Sequence, residues 1–231
     1  MTYNLTANWD SLSNPHHLVQ LCFPVKGTEL PADHNYGLYS ALSHQSPDLH
    51  TLDRLSIDTI PGIPNKTGKI SLCRYSRLLI RLPVDALSQV YTLAGQQLKI
   101  GSHTIQLGNP ELQTLKPFDT LRARLVTIKG YMEPTTFLDA LDRQMKDLGI
   151  DALAGIPAND EGNPKRLTLK IKKYTVVGFS VVVKELSPED SILLQVKGLG
   201  GKRRMGCGVF VPEIPMLGVT GEGRRAKTTV S

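Results

Sequence analysis

The sequence holds 231 residues, 40% hydrophobic and 21% charged, and its 27 lysines and arginines against 21 acids leave a net charge of +6 near neutral pH. A chain of this makeup can bury enough apolar surface to offset its ordering entropy, so global disorder is excluded, and its length suits one large domain or two small ones. The three cysteines, Cys22, Cys73 and Cys207, lie far apart without a CxxC, which excludes a disulfide scaffold and a zinc ribbon, and no apolar run approaches the ~20 residues of a membrane helix.

The opening MTYNLTANWD is polar and acidic, so no signal peptide is expected, and a reducing cytoplasm is the expected setting. His17–Val25 then reads as a strand. Asp33 can cap a helix running to about Gln45, with Leu38, Ala41 and Leu42 on one stripe and Pro47 as the stop. A strand is expected within Leu72–Leu82, and a helix over Pro83–Ala94 from Val84, Leu87, Val90 and Tyr91. Alternation predicts a further strand over Gln97–Leu107. Leu115–Asp119, with Pro117 inside it, reads as a linker.

The same order then recurs. Leu121–Ile128 alternates, Pro134–Leu148 carries Phe137, Leu138, Leu141, Met145 and Leu148 at helical spacing, and Leu167–Ile171 alternates basic with apolar residues. Val176–Val183 is a buried strand run. Ser187 with Asp190 three residues on marks a capped helix to about Val196, and Val209–Val211 closes the series. Two β-α-β-β-α-β passages predict an α+β fold of tandem ferredoxin-like (RRM-like) modules, over residues 1–114 and 120–213, followed by a flexible tail over 214–231.

Charge is unevenly spread. Residues 1–65 carry a net −4, whereas residues 165–204 carry +7. The basic block ends in KGLGGKRRMGCGVFVP, residues 197–212, where Gly198, Gly200, Gly201, Gly206 and Gly208 bracket Lys202, Arg203 and Arg204. Clustered glycines remove Cβ atoms, so backbone N–H groups are expected to approach a phosphate closely, with the basic trio supplying charge. The spacing fits neither a P-loop, for want of GK[ST], nor a dinucleotide fingerprint, whose flanking strand and helix are missing. A flexible basic hairpin on the surface is the plainer reading.

GLGGKRRMGCGVF resembles the C-terminal glycine-rich loop of the CRISPR-associated endoribonucleases of the RAMP superfamily, which cut repeat RNA in precursor crRNA. FPVKGTELPADHNYGLYSALSHQSPDLH resembles the first strand and helix of the branch named after the MYXAN subtype, also seen in type I-D-like systems. LRARLVTIKGYMEPTTFLDALDRQMKDLGI resembles the start of its second module, so the likeness spans about residues 17–212. It implies metal-independent cleavage, in which the ribose 2′-OH attacks phosphorus to leave a 2′,3′-cyclic phosphate and a 5′-OH. It also implies CRISPR repeat RNA as partner, retention of the crRNA, and other effector-complex subunits as further partners. The competing reading is a non-catalytic crRNA-binding RAMP subunit of such a complex. No cofactor, no metal and no membrane are expected; DxD, HExxH and any dense acidic cluster are missing.

That reaction needs a group to accept the hydroxyl proton, one to protonate the leaving oxygen, and cations for the phosphate; histidine suits the proton steps because its ordinary pKa is ~6.5. The family places its histidine in or just after the first helix, facing the loop. His50 in SPDLH is therefore the first catalytic candidate and His34 the second, although His34 shares a stripe with Leu38 and Leu42 and is equally read as a packed core residue. Tyr39 either orients a proton or packs in the core. His44 reads as solvent-facing, and His16, His17 and His103 as structural or surface. For RNA binding the candidates are the five loop glycines with Lys202, Arg203 and Arg204. Lys170 and Lys172 belong to a basic strand that grips a repeat hairpin or merely solubilises a face. Arg77, which shares a strand face with Arg81, lines the cleft or a solvated sheet.

Overall fold

The computed structural model describes residues 18–212; the expected tail over 214–231, and His16 and His17, lie outside them. The first half runs β1 (Leu18–Lys26), β2 (Glu29–Pro31), α1 (Asn35–Gln45), a 3-10 turn (Pro47–His50), β3 (Ser56–Ile57), β4 (Ile63–Pro64), β5 (Lys69–Ser71) and β6 (Arg77–Pro83). A second 3-10 turn (Val84–Ala86) leads into α2 (Leu87–Tyr91), and β7 (Gln97–Ile100), β8 (His103–Leu107) and β9 (Glu111–Thr114) complete it. β1 is central. It pairs antiparallel with β6 over Leu18–Pro24 on one edge, and with β9 and then β8 on the other, giving the order β3-β6-β1-β8-β7. Its alternate residues Val19, Leu21, Phe23 and Val25 enter the core with Leu38 and Leu42 of α1. β2, β5 and β4 form a small separate sheet.

The second half runs β10 (Leu121–Val126), α3 (Pro134–Asp147), β11 (Leu153–Gly155), β12 (Arg166–Ile171), β13 (Tyr174–Lys184), α4 (Pro188–Lys197) and β14 (Val211–Pro212). Its sheet has the order β11-β13-β10-β14, with β12 also on β13. In both halves the first strand of the passage lies between the third and the last, which is the ferredoxin-like arrangement expected twice over. Residues 115–120 between the halves are in neither strand nor helix. The apolar stripe of α3 is as expected, with Phe137, Leu141 and Met145 fully buried against Phe179 and Val181 of β13. So is the start of α4, where the Ser187 hydroxyl accepts from the Asp190 N–H at 3.1 Å. No helix among the described residues is long and apolar enough to cross a membrane.

Three expectations are corrected. Asp33 does not cap α1; its Oδ2 instead accepts the Lys170 N–H of β12 at 2.8 Å, and the N-cap is His34. The helix expected over Pro83–Ala94 shrinks to a 3-10 turn and five residues of α2, and its buried residues are Ala86, Val90 and Leu93, with Val84 and Tyr91 exposed. The single strand expected over Gln97–Leu107 is a hairpin, because Gly101 takes φ 62° and reverses the chain between β7 and β8.

Side chains fasten the halves around the N-terminus of α1. Asn35 donates from Nδ2 to the Met205 carbonyl at 2.7 Å, and Arg124 of β10 donates to the Ala32 carbonyl at 2.8 Å. Arg81, 2% exposed, donates to the carbonyls of Gln195 and, at 3.3 Å, Phe210. The two halves therefore meet at the N-terminus of α1.

Candidate functional site

The site starts from a chain reversal. Pro47 forces Ser46 out of the helical region, and the chain re-enters as one 3-10 turn ending at His50. A four-residue turn is not stable alone; Leu49, fully buried, anchors it with roughly 2 kcal/mol of burial. With Leu49 inward, His50 emerges exposed. Its Nδ1 lies 2.8 Å from the Tyr39 hydroxyl, and the two rings meet edge-to-face at 5.5 Å and 84°. Tyr39 is itself 9% exposed, so its hydroxyl is a fixed partner and Nε2 is the ring nitrogen left for a ligand. The phenol serves either tautomer, accepting from Nδ1–H when Nε2 carries the lone pair, or donating when Nε2 carries the proton.

The loop over residues 198–208 reaches this histidine from 154 positions away. Arg204 donates from Nη1 to the His50 carbonyl at 2.8 Å and from Nη2 to the Leu52 carbonyl at 2.6 Å. A cleft of about 430 Å³ lies alongside, lined by Tyr39, Arg54, Leu55 and residues 200–205. Lys202, exposed in the left-handed region at φ 64°, lines it with no side-chain partner among the described residues.

The expectation that the glycines present backbone N–H groups to phosphate is corrected. Those of Gly198, Gly201, Gly206 and Gly208 donate to the carbonyls of Leu194, Thr127, Arg203 and Leu125, and that of Gly200 donates to Gln144 Oε1 at 2.8 Å. The loop needs glycine for close packing instead. At Gly208 a Cβ would overlap the Leu199 carbonyl oxygen, and at Gly198 it would overlap the Gly208 carbonyl oxygen. Gly201, with open space around its Cα, borders the cleft.

The basic trio divides its work. Arg203 turns inward and donates to the Val196 and Lys197 carbonyls at 2.6 and 2.7 Å, closing the C-terminus of α4, where the helix dipole favours a cation. Burial lowers its pKa from the ordinary value. Its two Nη groups, like those of Arg204, donate to carbonyls, which leaves Lys202 as the one cation of the three whose side chain is not tied to the backbone.

His34 is placed differently from His50. It is 2% exposed; Nδ1 lies 2.8 Å from the Pro31 carbonyl and Nε2 accepts the Ile60 N–H at 3.1 Å. Both ring nitrogens are used. Burial, with the Arg124 charge adding to it and the Pro31 bond opposing it, pushes its pKa down to about 4, so the ring is neutral near pH 7. The structure thus brings His50 and Tyr39 to the loop and leaves His34 enclosed.

The remaining basic candidates lie off the cleft. Arg77 donates to the Arg74 and Ser76 carbonyls at 2.7 and 3.0 Å, and Arg81 is buried between the halves. Lys170 is exposed on β12, beside the N-terminus of α1. Lys172 is not on a strand; at φ 51° it opens the two-residue turn between β12 and β13, and Lys173 sits 5.5 Å over the Tyr174 ring. His44 is exposed, and His103 lies 3.8 Å from a Glu29 oxygen.

Arg54, at φ 55°, lines the cleft and was not among the expected residues. A faint signal marks it: Arg54 and Lys26 are the sole Lys or Arg of residues 1–65. Asp58 was also missed. Burial pushes its carboxyl up to about 6, against the Thr59 N–H at 2.8 Å and the charges of Arg81 and Arg124.

The profile of one protein family, described as Cas6 Crispr, matches residues 19–214. The CRISPR-associated endonuclease Cas6 of Myxococcus xanthus (strain DK1622) is 35% identical over 208 residues, covering 90% of this chain and 87% of that protein. Solved structures share the fold. A CRISPR-associated Cas6 protein aligns with TM-score 0.55 at 13% identity, over 84% of this chain and 98% of its own. A Cas6-related protein from Pyrococcus furiosus gives 0.54 at 16%, over 84% and 97%. A RAMP protein described as binding different RNA substrates gives 0.56 at 16%, over 84% and 98%.

Proposed function

The chain belongs to the Cas6 family of CRISPR-associated endonucleases, and from that premise we propose how this endoribonuclease cuts CRISPR repeat RNA. Cleavage needs no metal. The ribose 2′-OH upstream of the scissile phosphate gives its proton to Nε2 of His50 and attacks phosphorus in line with the departing 5′-oxygen. The 5′-oxygen leaves with a proton from solvent, and the products are a 2′,3′-cyclic phosphate and a 5′-OH. Tyr39 holds the ring through Nδ1, so the imidazolium formed in the step keeps a hydrogen-bond acceptor. Lys202, with Arg54 across the same cleft, offsets charge developing on the phosphate. Gly201 lets the strand approach the loop backbone. Lys170 and Lys172, on a hairpin beside α1, grip the repeat outside the cleft through its backbone. Retention of the cut repeat hands the crRNA on to effector subunits. Residues 1–114 and 120–213 act as two modules with the cleft at their meeting.

One observation carries this reading. An exposed histidine oriented by a buried tyrosine is tied through its own carbonyl to a loop that presents an unpaired lysine. The test incubates the protein in EDTA with a transcript carrying the CRISPR repeat of the source genome. A single cut with a cyclic phosphate is expected. His50→Ala should lose about 10²–10⁴-fold in single-turnover rate while binding a repeat with a 2′-deoxy scissile nucleotide as wild type does. Wild-type cleavage by His50→Ala, or cutting of the 2′-deoxy RNA, would overturn the mechanism.

A further inference from the structure

We propose that Arg204 is a positioning residue for His50, acting through the His50 backbone rather than on RNA; this rests on the role of His50 proposed above. A 3-10 turn of four residues leaves its last carbonyls without partners inside the turn. Here the Thr51 and Leu52 N–H groups and the Thr51 hydroxyl all converge on one acceptor, the Asp48 carbonyl. The carbonyls of His50 and Leu52 face the other way, and a single guanidinium takes both, at 2.8 and 2.6 Å. Two parallel bonds fix direction as well as distance, which a point charge does not.

The other end of the strut is equally fixed. Arg204 sits in the 3-10 turn Arg203–Met205. That turn is held by Met205 N–H to the Lys202 carbonyl at 2.8 Å and by Asn35 to the Met205 carbonyl at 2.7 Å. Its neighbour Arg203 is anchored the opposite way, onto the end of α4. Two successive arginines thus brace the loop between α4 and the catalytic turn, and Lys202 reaches the cleft from a braced base. Tyr39 fixes the ring of His50 and Arg204 fixes its backbone, so removal of either should misplace Nε2. A displacement of an ångström at a proton-transferring group costs rate steeply while leaving ground-state binding intact.

The experiment compares Arg204→Ala and Arg204→Lys with wild type and His50→Ala. Single-turnover cleavage, affinity for the 2′-deoxy repeat RNA across a salt series, and the His50 imidazole signals in NMR are measured on each. Both Arg204 variants should cleave about 10–100-fold slower and bind the deoxy RNA within about twofold, with an unchanged salt slope and a shifted or broadened His50 signal. Lysine should not rescue, because it retains charge but not the paired geometry. The double variant Arg204→Ala/His50→Ala should be no slower than His50→Ala alone. A salt slope reduced by about 0.7–0.9 with rescue by lysine would make Arg204 a phosphate contact and overturn the proposal. An inactive His50→Ala beside fully active Arg204 variants would refute the positioning role alone; a fully active His50→Ala would instead remove the reading of the site.

Discussion

His34 is the residue on which a sequence-based choice between two histidines turns, and its removal has a calculable outcome. The ring joins the Pro31 carbonyl to the Ile60 N–H inside the first half, at 2.8 and 3.1 Å. His34→Ala orphans both groups. A buried unsatisfied donor or acceptor costs about 1–3 kcal/mol, and the vacated ring volume adds a cavity, so a loss of roughly 3–5 kcal/mol is expected. His34→Asn, which still reaches the near carbonyl, should lose about half of that.

The pH dependence has a definite sign. The unfolded chain protonates this group near 6.5, whereas burial holds the folded group neutral down to about 4. Its contribution is complete above pH 6.5, disappears as pH falls to 4, and at ~1.36 kcal/mol per pH unit amounts to about 3 kcal/mol. Asp58 works the other way over much of the same range. Its carboxyl, pushed up to about 6 by burial, makes the fold more stable as pH falls from 6 toward 3.8. Because Asp58 is present in both proteins, the difference between wild type and variant isolates His34. Urea unfolding from pH 4 to 8 should show that difference largest above pH 6.5 and shrinking toward pH 4. At a temperature where the variants remain folded, cleavage should stay within a few-fold of wild type. Wild-type stability in His34→Ala and His34→Asn, an unaltered pH profile and abolished cleavage would together refute the structural role and return His34 to the chemistry.

Lys202→Ala should reduce the log–log salt slope of repeat RNA binding by about 0.7–0.9, whereas Arg203→Ala should leave the slope unchanged and lower the melting temperature, because its guanidinium closes α4; binding titrations from 50 to 300 mM salt with thermal melts on each check this. Gly208→Ala should destabilise by more than about 3 kcal/mol and disable cleavage, since its Cβ would overlap the Leu199 carbonyl oxygen at a residue held at φ 64°; an unchanged melting temperature would show that the loop can open without cost.

The doubled β-α-β-β-α-β order was legible along the chain because each element carries its own periodicity. β1 alternates, α3 repeats every three to four residues, Pro47 ends α1 and Ser187 starts α4. Such signals operate within about ten residues, and hydrophobic burial enforces them regardless of topology. The resemblance in GLGGKRRMGCGVF and SPDLH also pointed to the loop and to His50. The short strands β2, β4 and β5 were not legible, since two or three residues hold too few alternations. Nor was the reversal at Gly101 within an otherwise continuous alternating run.

Sequence alone singled out a histidine near the first helix and a basic, glycine-rich stretch near the end as the candidate chemical parts of this protein. Tertiary structure decided which histidine is open, which two of three adjacent cleft-lining cations are tied to backbone carbonyls, and why the glycines are there. Those outcomes rest on pairing between partners far apart in the chain: Ile60 closing over His34, Leu199 against Gly208, and the carbonyls of His50 and Val196 drawing two neighbouring arginines in opposite directions. A donor's role is set by the acceptor it meets, and that acceptor is specified only once the chain has folded.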